Sequence, residues 1–180
     1  MVVLHIMGGH ASGKSTLAGK FINLPDTVVL GKYSKSKTFD GMTGGMDMLK
    51  ATQEERFNLI KKEWLGDKKN VILEGMMCIY NKSFFSRYKE LQAIKKRKVY
   101  AILLESKTDK VIERISKRSK GKVFDEKRSR HINSKARGAR KNYNKLNPME
   151  YEKLEFDTTD ENNFLAIEKR LLEILQKEEI

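Results

Sequence analysis

The sequence predicts a three-layer α/β fold in which a central parallel sheet of five strands lies between helices. Three observations predict it. Short, nearly continuous apolar runs alternate with amphipathic stretches. Each run ends in Gly, Asp or Glu. The first run passes through a Gly-rich turn straight into a helical pattern.

Residues 2–7 form the first run and lack polar alternation, as a strand covered on both faces requires. Residues 15–23 follow as a helix with Leu17, Ala18 and Phe21 on one face. Residues 27–30 are a second, β-branched run closed by Gly31. Residues 32–46 read as an irregular, substrate-shaped loop, because Gly31, Gly41, Gly44 and Gly45 crowd it. Thr52 and Glu55 have capping-box spacing, and Phe57, Ile60 and Trp64 share the helical face behind them up to Gly66. Residues 70–73 are a third strand ending at Glu74-Gly75. Residues 83–95 are a helix through Phe84, Tyr88 and Leu91, and residues 99–104 a fourth strand. Thr108 begins a helix with Val111, Ile112 and Ile115 inward, and residues 117–126 read as a basic loop. Over residues 125–146 the apolar positions Ile132, Ala136, Ala139, Tyr143 and Leu146 step by four and three, a narrow stripe on an otherwise cationic helix that Pro148 ends. Residues 154–156 are a short fifth strand, and residues 164–175 a closing amphipathic helix.

The turn after the first strand is Gly8-Gly9-His10-Ala11-Ser12-Gly13-Lys14-Ser15. This is the Gly-x-x-x-x-Gly-Lys-Ser pattern of a phosphate-binding loop, the Walker A motif, in its required place between a buried strand and a helix. The glycines let successive backbone N–H groups curl toward phosphate oxygens, and the helix start adds positive potential. Lys14 is then the β,γ-phosphate lysine and Ser15 a Mg²⁺ ligand, with Thr16 near the α-phosphate. His10 serves through its backbone. The fold predicted is therefore the P-loop NTPase fold, and the cofactors are ATP and Mg²⁺.

Phosphoryl transfer also needs metal support, a base and charge neutralisation. In small P-loop kinases the third strand lies beside the first, so Glu74 would emerge next to the loop. There it would hold a metal-bound water or polarise the acceptor hydroxyl, or else pair with Lys14 or cap a loop. Asp47, after Gly44-Gly45-Met46, would accept the acceptor's proton; Asp40 competes for that role, and a surface or helix-capping Asp is the alternative. Arg114 and Arg118 lie one turn apart and suit a grip on the transferring group, the alternative being a solvated face with an Arg114–Glu113 pair. Asp157-Thr158-Thr159 marks either the surroundings of the adenine or a helix N-cap. His5 reads as a core residue and His131 as part of a basic surface. No Cys/His cluster has zinc spacing.

A chain of 180 residues fits one domain, residues 1–180, with a core of its own. It has no apolar run long enough to span a membrane and no signal-peptide layout at residue 1, and its single Cys78 can form no internal disulfide. The cytoplasm is the expected compartment. Cys78 follows a strand, which favours a buried inert thiol over a reactive one. No obligate protein partner is evident. The net charge is +13, concentrated in residues 107–147, where 15 Lys or Arg face 4 Asp or Glu. Such a block fits either a polyanion or a solvated lysine-rich surface.

Along its whole length the chain resembles the small P-loop kinases that act on nucleotides and polynucleotides, through the loop, the Glu74-Gly75 strand end and the arginines of residues 111–118. Gly31-Lys32-Tyr33-Ser34, Gly44-Gly45-Met46-Asp47 and Val71-Ile72-Leu73-Glu74-Gly75 resemble, more narrowly, phage 5-hydroxymethyluracil DNA kinases. Residues 35–43 are longer than the spacing expected between those elements. The resemblance implies ATP-dependent phosphorylation of the hydroxymethyl group of a modified base in DNA, in the host cytoplasm if the chain is phage-encoded. It makes Asp47 and Glu74 the site carboxylates and puts Tyr33 in the base pocket. A DNA substrate also accounts for the basic block, with Arg137, Arg140 and Lys141 among Lys127, Arg128, Arg130, Lys135 and Lys145 as phosphate contacts, and with Tyr33 or Phe39 stacking on an extruded base. Two alternatives stay open: a deoxynucleoside monophosphate or polynucleotide 5′-hydroxyl kinase, and a nucleic-acid-binding NTPase switch. A guanine-specific switch is disfavoured because Asn81-Lys82-Ser83-Phe84 lacks the base-reading Asp.

Overall fold

The computed structural model describes residues 1–75, 82–119 and 125–177, with the backbone alone for 82–85. Cys78, the Phe84 side chain and the centre of the basic loop lie outside the described residues. The elements run β1 (Val2–Gly8), α1 (Lys14–Gly19), β2 (Thr27–Leu30), β3 (Lys32–Lys35), β4 (Met42–Gly45), a 3₁₀ turn (Met46–Met48), α2 (Gln53–Leu65) and β5 (Asn70–Glu74). They continue with α3 (Lys82–Ile94), β6 (Lys98–Glu105), α4 (Thr108–Arg118), α5 (Glu126–Asn144), β7 (Glu152–Asp157) and α6 (Asn162–Lys177).

The main sheet has the order β2-β5-β1-β6-β7 and is parallel throughout. All seven residues of β1 are buried, because both sheet faces are covered. Val3 and Met7 face the side packed by Phe57, Ile60 and Trp64 of α2, Tyr88 and Leu91 of α3, and Ala139 and Tyr143 of α5. Val2, Leu4 and Ile6 face Leu17 and Ala18 of α1 and Ile167, Leu171 and Ile174 of α6. His5 lies 5.2 and 6.2 Å from the rings of Tyr88 and Tyr151, and burial pushes its pKa down to about 3, so it is a neutral core residue.

The capping box on α2 is closed: Glu55 N donates to Thr52 Oγ1 at 3.2 Å, and Thr52 N donates to Glu55 Oε2 at 2.7 Å. Its far end is capped from a distance, since the buried Arg97 guanidinium donates to Trp64, Lys68 and Lys69 carbonyls. After Gly19 the chain keeps winding through i→i−3 bonds such as Phe21 N to Ala18 O, which accounts for the longer predicted helix.

One expectation is corrected. Residues 32–46 are not irregular throughout: β3 and β4 pair antiparallel, Lys32 with Gly45 and Lys35 with Met42, leaving residues 36–41 as the loop of a hairpin. Glycines placed for a loop instead let this hairpin lie against the sheet. Gly45 has φ 112°, and a Cβ there would overlap Glu74 Oε2. Among the described residues no helix is long and apolar enough to cross a membrane.

Candidate active site

The glycine-rich loop leaves β1 at Gly8 and enters α1 at Lys14. Gly13 caps the helix with φ 92°, and a Cβ there would strike the Phe164 ring. Ala11 also takes a left-handed conformation, φ 51°, which a non-glycine residue holds only when its neighbours enforce it. They do. Thr158 Oγ1 donates to Ser12 O at 3.0 Å and to Glu105 O at 2.8 Å, and Arg114 reaches Ala11 O, Ser106 Oγ and Thr158 O. Ser12 Oγ closes the loop on Gly9 O at 3.1 Å. Lys14 Nζ folds back to donate to the same carbonyl at 2.6 Å.

The parallel register pairs Ile6 of β1 with Glu74 of β5, so Glu74 leaves its strand one position over from the loop. It is 3% exposed, and Ser15 Oγ donates to its Oε2 at 3.3 Å. Burial pushes the Glu74 pKa up to about 7, with the Asp47 charge adding to this and Lys14, Ser15 and Tyr33 opposing it. Burial also lowers the Lys14 pKa, partly offset by Glu74 and Asp47. Asp47, on the 3₁₀ turn, faces Gly75, where an added Cβ would lie 3.1 Å from Oδ1. Lys14, Ser15, Thr16, Asp47, Glu74 and Arg118 line one cavity of about 220 Å³, together with the loop and the Met42–Gly44 stretch of β4. The hairpin roofs it: Met42 N donates to Thr16 Oγ1 at 3.4 Å, and Phe39 at the hairpin tip carries the Arg118 guanidinium 4.0 Å above its ring.

The remaining predicted residues fall elsewhere. Arg114 buttresses the loop backbone and is no partner of Glu113, which pairs with Lys110 and Lys117. Asp40 is exposed at the hairpin tip and does not line the cavity. Tyr33 is half-buried on β3, bonded to Leu30 O at 3.4 Å and facing Glu74. Arg137 and Lys141 are exposed on α5. Arg140 is held by two carboxylates, with Nε 3.0 Å from Glu105 and Nη1 2.7 Å from Glu155, so its charge is already neutralised within the fold. Thr158 is the loop's buried anchor, a role the Asp-Thr-Thr signal did not disclose. A second cavity, of about 500 Å³, lies between Arg114 on α4 and Thr159, Asp160 and Asn162 after β7.

Among solved structures the chain is similar to a "putative kinase" from Chloroflexus aurantiacus j-10-fl, with a TM-score of 0.62 and 17% identity over 98% of this chain and 96% of that one. The fold is the three-layer P-loop α/β fold. It is also similar to an uncharacterized protein from Eubacterium ventriosum ATCC 27560, with a TM-score of 0.53 and 11% identity over 98% of each chain. No family model and no curated protein matches the chain.

Proposed function

We propose that this chain is an ATP-dependent phosphotransferase that passes the γ-phosphoryl group to a hydroxyl carried on nucleic acid, and that the hydroxymethyl group of 5-hydroxymethyluracil in DNA is the acceptor. The observation that carries the transferase reading is the meeting of Lys14, Ser15, Asp47 and Glu74 in one cavity that Arg118 also lines. Lys14 turns from Gly9 O to the β- and γ-phosphates. The Ser15 hydroxyl and Glu74 carboxylate are hard oxygen donors of the kind Mg²⁺ takes, and they would hold it, supplying neutralisation of the phosphate charge. The adenine occupies the cavity between Arg114 and the turn after β7. The acceptor oxygen enters from the hairpin side and bonds to the γ-phosphorus. The bond from that phosphorus to the β,γ-bridging oxygen breaks, ADP leaves, and the acceptor's proton passes to Asp47. Arg118 neutralises the oxygens of the group in flight.

The nucleic-acid acceptor rests on charge and on the resemblance of the hairpin and β5 residues. Lys127, Arg137 and Lys141 on α5 and Lys145 at its C-terminal cap are exposed cations, a surface suited to phosphates. The test is label from γ-labelled ATP offered to three acceptors: hydroxymethyluracil DNA, unmodified DNA with a 5′ hydroxyl, and free deoxynucleoside monophosphates. Label on the first alone is expected. Label on either of the others alone would overturn the acceptor assignment, and phosphate release with no acceptor labelled would overturn the transferase.

A further inference from the structure

The α5 helix crosses the phosphate loop. A Cβ on Gly9 would lie 3.1 Å from Ala136 Cα, so helix and loop are in backbone contact. This crossing brings two further side chains of α5 to the loop. The His131 ring lies 5.6 Å from the His10 ring, tilted by 34°. Lys135, one turn on along the same face, acts electrostatically on His10. His10 lines the same cavity as Lys14 of α1 and Asp47 of the 3₁₀ turn, and both act on it electrostatically. His10 thus sits within the electrostatic reach of two lysines, a second imidazole and one carboxylate. Burial first, then Lys14, His131 and Lys135, hold it below the ordinary imidazole range, and Asp47 opposes them.

We propose that His10, His131 and Lys135 form an outer wall of the phosphate site, and that His10 takes up a proton as a nucleoside triphosphate binds. The inference rests on the reading of residues 8–15 as a triphosphate loop. The sign follows from charge. A triphosphate brings several negative charges to a group ringed by cations, so the imidazolium becomes the favoured form. Proton uptake on binding means that affinity rises as pH falls across the range in which His10 titrates, with log K changing per pH unit by the number of protons taken up. His10 then acts as a charge that grows only when the anion is present, with His131 and Lys135 beside it.

The test is calorimetric titration of ATP into the full chain at pH 7, in two buffers of different ionisation enthalpy, for wild type, His10→Gln and the His131→Gln/Lys135→Gln double variant. Glu74 also titrates near neutrality, so the difference between wild type and His10→Gln is the readout. Wild type is expected to take up a sizeable fraction of a proton more than His10→Gln. The double variant is expected to bind on the order of tenfold more weakly, as when a charge-assisted hydrogen bond is removed. Equal proton uptake by wild type and His10→Gln, or wild-type affinity in the double variant, would overturn the proposal. Failure of folded wild type to bind ATP at all would overturn the triphosphate reading, and this inference with it.

Discussion

Replacing Glu74 with Gln is expected to stabilise the fold at alkaline pH while abolishing transfer. Glu74 is 3% exposed and its pKa is pushed up to about 7. In the unfolded chain a Glu titrates near its ordinary value, roughly 4.3. The folded state therefore holds this proton more tightly than the unfolded state. The stability that goes with it is fully present below the unfolded value and is lost as pH rises through about 7. Between pH 5 and pH 8.5 this one carboxyl costs the wild type about 2.5 kcal/mol. Gln has nearly the same shape and does not titrate, so Glu74→Gln escapes that loss. Urea unfolding of both proteins at the two pH values measures it, as a gap that opens by about 2.5 kcal/mol toward the higher pH. Parallel pH dependences would refute the claim that burial raises the Glu74 pKa. Retained transfer by the variant would refute its place in the chemistry.

Four other outcomes are expected. Lys14→Ala lowers turnover on the order of 10³-fold with the fold intact, because the cavity holds no other ammonium among the described residues, and a kinetic assay beside a thermal melt checks both. Gly45→Ala forces a methyl into Glu74 Oε2 at a left-handed backbone position, so it destabilises by more than about 1 kcal/mol and lowers turnover together, as denaturation and activity assays would show. Thr158→Val removes the donor that holds Ser12 O and Glu105 O, costing about 1–3 kcal/mol of stability and weakening nucleotide binding in calorimetry. Charge reversal at Arg137, Lys141 and Lys145 weakens DNA binding and flattens its salt dependence by about one unit of slope for each phosphate no longer neutralised, while ATP affinity is unchanged.

Much of this architecture is legible locally. The strands announce themselves as apolar runs because the sheet is buried on both faces. The Thr52–Glu55 box is a short-range signal that the structure realises, and residues 8–15 make the predicted turn from β1 into α1. What the sequence hides is long-range. The hairpin of β3 and β4 is masked because Gly41, Gly44 and Gly45, which fit it against Glu74, are also the marks of a loop. Arg114 reads as a phosphate clamp from its spacing alone. Its commitment to Ala11 and Thr158 depends on partners 103 and 44 positions away. Arg140 reads as a free cation until Glu105 and Glu155 are brought beside it by the β6–β7 pairing. Phe39 beneath Arg118, where α4 meets the hairpin, and His131 beside His10, where α5 crosses the loop, are likewise long-range products of the fold.

If the cavity around Lys14, Asp47 and Glu74 moves a γ-phosphoryl group onto a base in DNA, the base alone must decide which DNA is labelled. Two duplexes that differ only in hydroxymethyluracil against thymine, with blocked 5′ ends, test this most directly when incubated with γ-labelled ATP. Label is expected in the hydroxymethyluracil duplex, none in the thymine duplex, and none in either with Lys14→Ala. Equal labelling of the two duplexes, or no labelling of either by a protein that binds ATP, would contradict it.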